Sequence, residues 1–184
     1  MAKLCFRYGT MSSSKTMNLL MVAHTLDQQG KRVTLVKPGI DVRSGEMTIA
    51  SRTGFERIAD VVVRPEDAVV IDLTKTDCIL VDEAQFLTPL QVDDLRDMAR
   101  FVPVICYGLR TDYQCRLFPG SKRLMEVADV LEEMRTECFF CRNKAMLNMK
   151  FAHGVLVTEG TSAPELGGDE RYKPGCWSCW STLE

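Results

Sequence analysis

The sequence predicts an α/β fold: a parallel sheet flanked by helices, of the P-loop (RecA-like) kind, with a small cysteine-rich appendage. Three observations carry that expectation. Short apolar runs at 2–8, 33–36, 78–81 and 102–107 alternate with helical patterns, the rhythm of a sheet covered on both faces. The first run ends in Gly9-Thr10-Met11-Ser12-Ser13-Ser14-Lys15-Thr16 and opens a helix. In such a loop, backbone N–H groups face an anion, a lysine neutralises phosphate charge and a hydroxyl ligates Mg²⁺. The third run ends in Asp82-Glu83, the pattern of a buried parallel strand that delivers acids to its C-terminal edge.

Taken in order, residues 2–8 read as a strand and 16–29 as a helix stopped by Gly30. Residues 33–36 form the second strand, followed by the loop Lys37-Pro38-Gly39-Ile40-Asp41-Val42-Arg43-Ser44-Gly45. The segments 58–63 and 68–73 read as short strands. After strand 78–81, residues 89–100 give a helix with Leu90, Val92, Leu95 and Met98 as its apolar stripe. Strand 102–107 follows, then a short helix over 121–127 with Ser121 as its cap. Beyond Glu137 the rhythm changes to cysteine pairs, strand-like pieces at 145–150 and 155–157, and a long Gly/Pro/Glu-rich loop. The expected division is a P-loop core over 1–136 and a smaller domain over 137–184.

A chain of 184 residues with 46% apolar residues can bury a core of its own. Its net charge of −2 gives no footprint for a nucleic-acid polymer. Apolar runs such as 68–73 are too short to span a bilayer, and no charged-then-apolar leader precedes the first strand. The expectation is a cytoplasmic protein without a membrane partner.

The eight cysteines fall into two groups. Cys5, Cys78 and Cys106 sit in apolar runs as small hydrophobes, and Cys115 in a polar loop. The pairs Cys138/Cys141 and Cys176/Cys179 have Cys-x-x-Cys spacing and supply the soft ligands of a closed tetrahedral Zn²⁺ site, at about 2.3 Å per bond. The other readings are independent thiols or a redox motif, but nothing thioredoxin-like flanks either pair. Structural zinc would pin both ends of a segment too small to hold its own core. Within it, residues 158–175 form a loop longer than compact domains usually carry, with Gly167, Gly168 and Tyr172 inside. Tethered at both ends, it reads as a substrate lid rather than a free surface loop.

The phosphate loop departs from Gly-x-x-x-x-Gly-Lys-Ser/Thr at one place, Ser14 standing for the second glycine. A small residue is tolerable there if its backbone angles stay allowed, so weaker tolerance rather than lost binding is expected. Asp82 is expected to hold Mg²⁺ through water while Thr16 ligates it directly. Glu83 is either a solvated strand-end acid or a general base beside the metal. An ATPase would use the same carboxylate to orient water, and spacing leaves these readings open. His24 and His153 read as packing or surface residues. Met17, Met21, Met98, Met146 and Met149 read as core filling, and Trp177 and Trp180 as packing around the cysteines.

Over nearly its full length the chain resembles the thymidine kinases shared by bacteria and the animal cytosol. The resemblance is carried by Phe6-Arg7-Tyr8-Gly9-Thr10-Met11, the 37–43 segment and Asp82-Glu83-Ala84-Gln85-Phe86. Further along come Tyr107-Gly108-Leu109-Arg110-Thr111-Asp112-Tyr113, Leu117-Phe118-Pro119-Gly120-Ser121, and the cysteine pairs enclosing Gly167-Gly168-Asp169-Glu170-Arg171-Tyr172. It implies transfer of the ATP γ-phosphate to the thymidine 5′-hydroxyl. ATP would be held by Gly9 to Thr16 and Asp82 to Gln85, with Glu83 as base and Asp41 and Arg43 near the phosphates and metal. Met11, Phe86, Leu109, Tyr113 and Phe118 would wall the thymine pocket, with Asn148 near the thymine methyl. Gly167, Gly168 and Tyr172 would close over the nucleoside. The resemblance also implies a homotetramer inhibited by thymidine triphosphate. The rival functions are a P-loop ATPase and a catalytically impaired nucleotide-binding module, and discrimination between thymidine and deoxyuridine stays open.

Overall fold

In the computed structural model, the residues described are 3–40, 45, 47–160 and 171–183. A six-stranded, wholly parallel sheet forms the centre. Its strands are β1 (Leu4–Tyr8), β2 (Val33–Pro38), β5 (Val61–Val63), β6 (Cys78–Val81), β7 (Val104–Gly108) and β8 (Val130–Glu133), in the order β5-β2-β6-β7-β1-β8. The strands between, β3 (Thr48–Ala50) and β4 (Glu56–Ile58), form a separate antiparallel hairpin. Helix α1 (Lys15–Gln28) and the hairpin cover one face, where Leu19, Leu20, Ala23 and Ile49 meet Leu35, Leu80 and Tyr107. Helices α2 (Pro89–Met98) and α3 (Pro119–Val127) cover the other, where Val92, Leu95 and Leu124 meet Ile79, Val81, Val104 and Phe6. Strand β6 sends Cys78 and Leu80 to one layer and Ile79 and Val81 to the other, so its unbroken apolar run is what burial on both faces requires.

The sheet order sets the site. Both β1 and β6 end at the same sheet edge, with only β7 between them, so the phosphate loop and the acid pair are brought together. A second, three-stranded antiparallel sheet follows: β10 (Val155–Val157), β9 (Leu147–Ala152) and β11 (Tyr172–Gly175), in that order. The chain continues into α4 (Trp177–Leu183).

Several local expectations are corrected. Residues 58–63 are not one strand, because the chain breaks at Asp60. Its carboxylate accepts the Leu35 N–H at 2.7 Å and its own N–H donates to Leu35 O at 2.9 Å, putting Ile58 in the hairpin and Val61 in the main sheet. Residues 68–73 form no strand: Val70 is 78% exposed, and the Val69 N–H goes to the Asp94 carboxylate instead of a ladder. Apolar content overstated the sheet there, because strand preference reflects fit to a half-buried surface. Leu90 is exposed, so the buried stripe of α2 is Gln91, Val92 and Leu95, and the helix starts at a Thr88–Gln91 capping box. Helix α3 starts at Pro119, not at a Ser121 cap, and Ser121 is wholly buried within it. Met21 and Met146 are exposed rather than core, whereas Met149 is fully buried. Strands β8 and β11 and helix α4 were not anticipated by the sequence patterns.

Candidate active site

The phosphate loop joins β1 to α1. Gly9 is required by close approach: a Cβ there would stand 2.4 Å from Met134 O and 2.5 Å from Ser13 Oγ. The Lys15 ammonium curls over the loop and donates to Thr10 O at 2.7 Å and Ser13 Oγ at 3.2 Å. The Thr10 hydroxyl is buried and has no hydrogen-bond partner among the described residues. Ser14 is the residue before the helix, with φ +58 and ψ +28, a left-handed conformation that glycine takes freely. The angles are thus allowed but costly, on the order of 1 kcal/mol for a non-glycine residue. Ser14→Gly is therefore expected to leave kcat unchanged and to leave ATP affinity equal or improved, checked by KM for ATP. A large loss of activity would show that the loop has adapted to its serine.

Thr16 Oγ1 lies 3.2 and 3.3 Å from the two Asp82 carboxylate oxygens. Asp82 is buried at the end of β6. Burial first, and the neighbouring Glu83 charge second, raise its pKa to about 7, against lowering hydrogen bonds from the Glu83 backbone and Thr16. A buried carboxylate beside a hydroxyl is a hard-oxygen pair, which fits a divalent cation such as Mg²⁺. The raised value also has a stability consequence. The native state holds a proton that the unfolded chain releases near 3.8, so ionised Asp82 weakens the metal-free fold increasingly as pH rises from about 4 to about 7, and fully above that. Metal-free Asp82→Asn is expected to melt above the parent at pH 8, with the gap shrinking toward pH 4 in thermal unfolding scans. An equal gap at both pH values would rule out the buried charge as its cause.

Glu83 follows with φ +47 and ψ +38, a strained left-handed backbone at the strand end. Its carboxylate accepts from Gln85 Nε2, and Gln85 Oε1 accepts the Leu109 N–H at 2.9 Å. Ala84 and Gln85 are buried in the 3₁₀ turn Ala84–Phe86. The proposed thymine-wall residues each have their own contacts. Phe86 and Phe118 meet edge to face, with ring centroids 5.8 Å apart. Leu109 is held at both backbone ends, since its carbonyl accepts from Ser121 Oγ at 2.5 Å. The ring of buried Tyr113 lies 4.7 Å from Lys150 Nζ, and Lys150 pairs across the ladder with Tyr172. Tyr172 thus sits on β11, on a strand and not in an irregular loop. Asn148, buried on β9, ties the second sheet to loops that follow β1 and β7: Oδ1 accepts the Met11 N–H at 2.7 Å and Nδ2 donates to Thr111 O at 3.1 Å. Asp41, Arg43, Gly167 and Gly168 lie outside the described residues.

Two contacts had no signal in the sequence. Arg52, at the tip of the β3–β4 hairpin, donates from Nη1 to Ser12 Oγ at 2.8 Å, placing a guanidinium on the phosphate loop. Only recognition of the hairpin could have found it. Beneath the loop, Arg7 donates to Tyr107 Oη at 2.8 Å, to Asn18 Oδ1 at 3.1 Å and to Glu132 at 2.6 Å. That network ties β1, β7 and the edge strand β8 to the first turn of α1.

The Sγ atoms of Cys138, Cys141, Cys176 and Cys179 all lie within 4.8 Å of one another. A tetrahedron with bonds of about 2.3 Å has edges of about 3.8 Å, so the cluster fits Zn²⁺. Burial opposes ionisation of Cys138, but backbone N–H donors of Phe140, Cys176 and Cys141 outweigh it and lower its thiol, whereas hydrogen bonds from the other three cysteines raise that of Cys179. Trp177 and Trp180 stack beside it, centroids 5.0 Å apart.

A phosphate loop and an acid pair converging at one edge of a parallel sheet, in a chain that also gathers four cysteines into one cluster, are the layout of a P-loop nucleotide-binding protein. Comparison with known proteins narrows the class. The thymidine kinase family model matches residues 2–180. A thymidine kinase of Lactiplantibacillus plantarum is 42% identical over 183 residues, spanning 96% of this chain and 94% of the relative. One from Chromobacterium violaceum is 42% identical over 98% of each chain, and one from Encephalitozoon cuniculi 39% over 97% and 86%. The chain belongs to the thymidine kinase family. Among solved structures, unliganded Pif1 from Bacteroides sp. overlaps 72% of this chain and 37% of its own, with 13% identity and a TM-score of 0.41, a likeness that carries no argument. No helix among the described residues is long and apolar enough to cross a membrane.

Proposed function

We propose that this chain transfers the γ-phosphoryl group of ATP to the 5′-hydroxyl of thymidine, giving dTMP and ADP. The observation that carries the reading is the contact between Thr16 and Asp82, which joins phosphate loop and acid strand into one site with Glu83 next in sequence. Such a transfer is positioning plus charge neutralisation, and these residues supply both. The loop backbone and Lys15 hold the phosphates, and Arg52 adds a cation from the hairpin. Thr16 and Asp82 would hold Mg²⁺, which when bound offsets phosphate charge. Glu83 takes the proton as the 5′-oxygen bonds to the γ-phosphorus and the bond to the departing ADP oxygen breaks. Asp41 and Arg43 support charge neutralisation in this reading.

In this reading Phe86, Phe118, Leu109, Tyr113 and Met11 would form an apolar, aromatic wall for a flat base carrying a methyl group, supported by the Phe86–Phe118 ring contact and the burial of Met11 and Tyr113. The bond from the Met11 N–H to Asn148 supports a position for Asn148 near the thymine methyl. In this reading Gly167, Gly168 and Tyr172 would close over the nucleoside from a zinc-stapled domain over 137–184, attached to a core over 1–136. The resemblance supports a cytoplasmic homotetramer inhibited by thymidine triphosphate. The test is ADP release from zinc-replete protein with Mg·ATP, alone and with each nucleoside added. Thymidine-dependent release with dTMP as product is expected. Release that ignores nucleosides would point to hydrolysis, and none at all to an impaired binding module.

A further inference from the structure

Gln85 is 1% exposed, enclosed under the turn that follows the acid pair. Its amide orientation is fixed by chemistry: the Leu109 N–H is a donor, so the oxygen of Gln85 must face it, at 2.9 Å. The amide nitrogen then points at Glu83 Oε2 and donates to it. The frame behind Gln85 is hydrogen-bonded and closely packed. Ser121 Oγ holds the Leu109 carbonyl from inside α3. Gly108 lies against the amide, and a Cβ there would stand 2.8 Å from Gln85 Oε1 and 3.1 Å from Gln85 N. The glycine of the Tyr107-Gly108-Leu109 segment is thus the gap into which Gln85 fits.

We propose that Gln85 is a positioning residue for the Glu83 carboxylate, in place of the nucleotide contact that the family resemblance implies for it. This rests on the reading of Glu83 as proton acceptor. A glutamate has three rotatable side-chain bonds, and Glu83 adds a strained backbone that sets only where the side chain starts. The Gln85 donor selects one carboxylate position, carried through Leu109 to the body of the sheet. A misplacement of about 1 Å at a reacting group costs on the order of 10²-fold in rate. Gln85 touches neither reactant in this scheme and acts only through Glu83.

A double-mutant cycle on kcat with Gln85→Met and Glu83→Gln tests this. Gln85→Met alone is expected to lower kcat about 10- to 100-fold with KM for thymidine and ATP within about twofold. In the Glu83→Gln background, the same change is expected to have no further effect, because the group it positions has lost its function. A structural role would lower kcat in both backgrounds. Gln85→Glu is the second variant: it keeps an acceptor for the Leu109 N–H, lacks the donor, and is expected to reproduce the loss even if Gln85→Met folds poorly. Full activity of the Gln85 variants beside an impaired Glu83→Gln, or additive losses in the double variant, would overturn the proposal alone. Full activity of Glu83→Gln would overturn the reading of Glu83 beneath it.

Discussion

Glu83→Gln keeps thymidine binding and loses about 10²- to 10⁴-fold in kcat, the range a positioned proton acceptor supplies. The replacement is isosteric, and the introduced amide can still accept from Gln85 through its oxygen, so the fold around the acid pair has no reason to change. What disappears is the capacity to take the 5′-hydroxyl proton. The neighbouring Asp82 cannot replace it: it is buried against Thr16 and assigned to the cation. The loss therefore belongs in kcat and not in KM, and it should persist in a single-turnover measurement, where product release does not contribute. Unchanged single-turnover rates would remove Glu83 as base and move the proton to solvent or to the phosphate itself. The same preparation, measured for ADP release without nucleoside, separates transfer from hydrolysis.

The parts of this site visible in the sequence are those written in contiguous residues. The phosphate loop, the acid-ended strand and the cysteine spacing each encode their chemistry within a few positions, and the alternation of strands and helices is enough to place the first two on one sheet edge. Strand β6 was legible to the residue, because burial on both faces leaves an unbroken apolar run with sharp ends. Contacts made across the fold were not legible. Arg52 reaches Ser12 over 40 positions, and Asn148 reaches Met11 over 137. The errors at 68–73 and at Leu90 arose where apolar residues were assigned to a core that does not extend that far. Strand β8 has the pattern Val-Leu-Glu-Glu, with Leu131 about half exposed, so periodicity could not mark it as part of the sheet. Strand β11 contains a proline and a glycine, both weak strand formers, and it forms because its partner β9 supplies a paired edge. Ser14 shows the limit of motif reading: the pattern marks a missing glycine, but only the backbone angle shows what the serine costs.

Zinc removal should separate the substrate side of the enzyme from its ATP side. Cys176 joins β11 to α4, and the β11 backbone is tied to the other cysteine pair by Phe139 N–H to Pro174 O at 2.9 Å and to the start of β9 by Met146 N–H to Gly175 O at 2.8 Å. A three-stranded sheet with short flanks buries too little to stand without its staple, so metal affinity there is folding energy. Cys176→Ser is therefore expected to drop zinc content from about one per chain to near zero and to free β11, with Tyr172, from β9. If the closed arrangement is then populated about a tenth of the time, KM for thymidine rises on the order of tenfold. KM for ATP should change far less, because the phosphate loop and Asp82 stand on the main sheet, whose core includes none of Cys138, Cys141, Cys176 and Cys179. Asn148 is a path by which the loss can reach the loop, through Met11, so an ATP effect carried that way should be matched by Asn148→Ala. Metal analysis with both KM values measures this, and a chelator applied to the parent protein should reproduce the split. Retained zinc with both constants unchanged would discard the staple, and an equal rise in both would place the cluster in support of the whole fold.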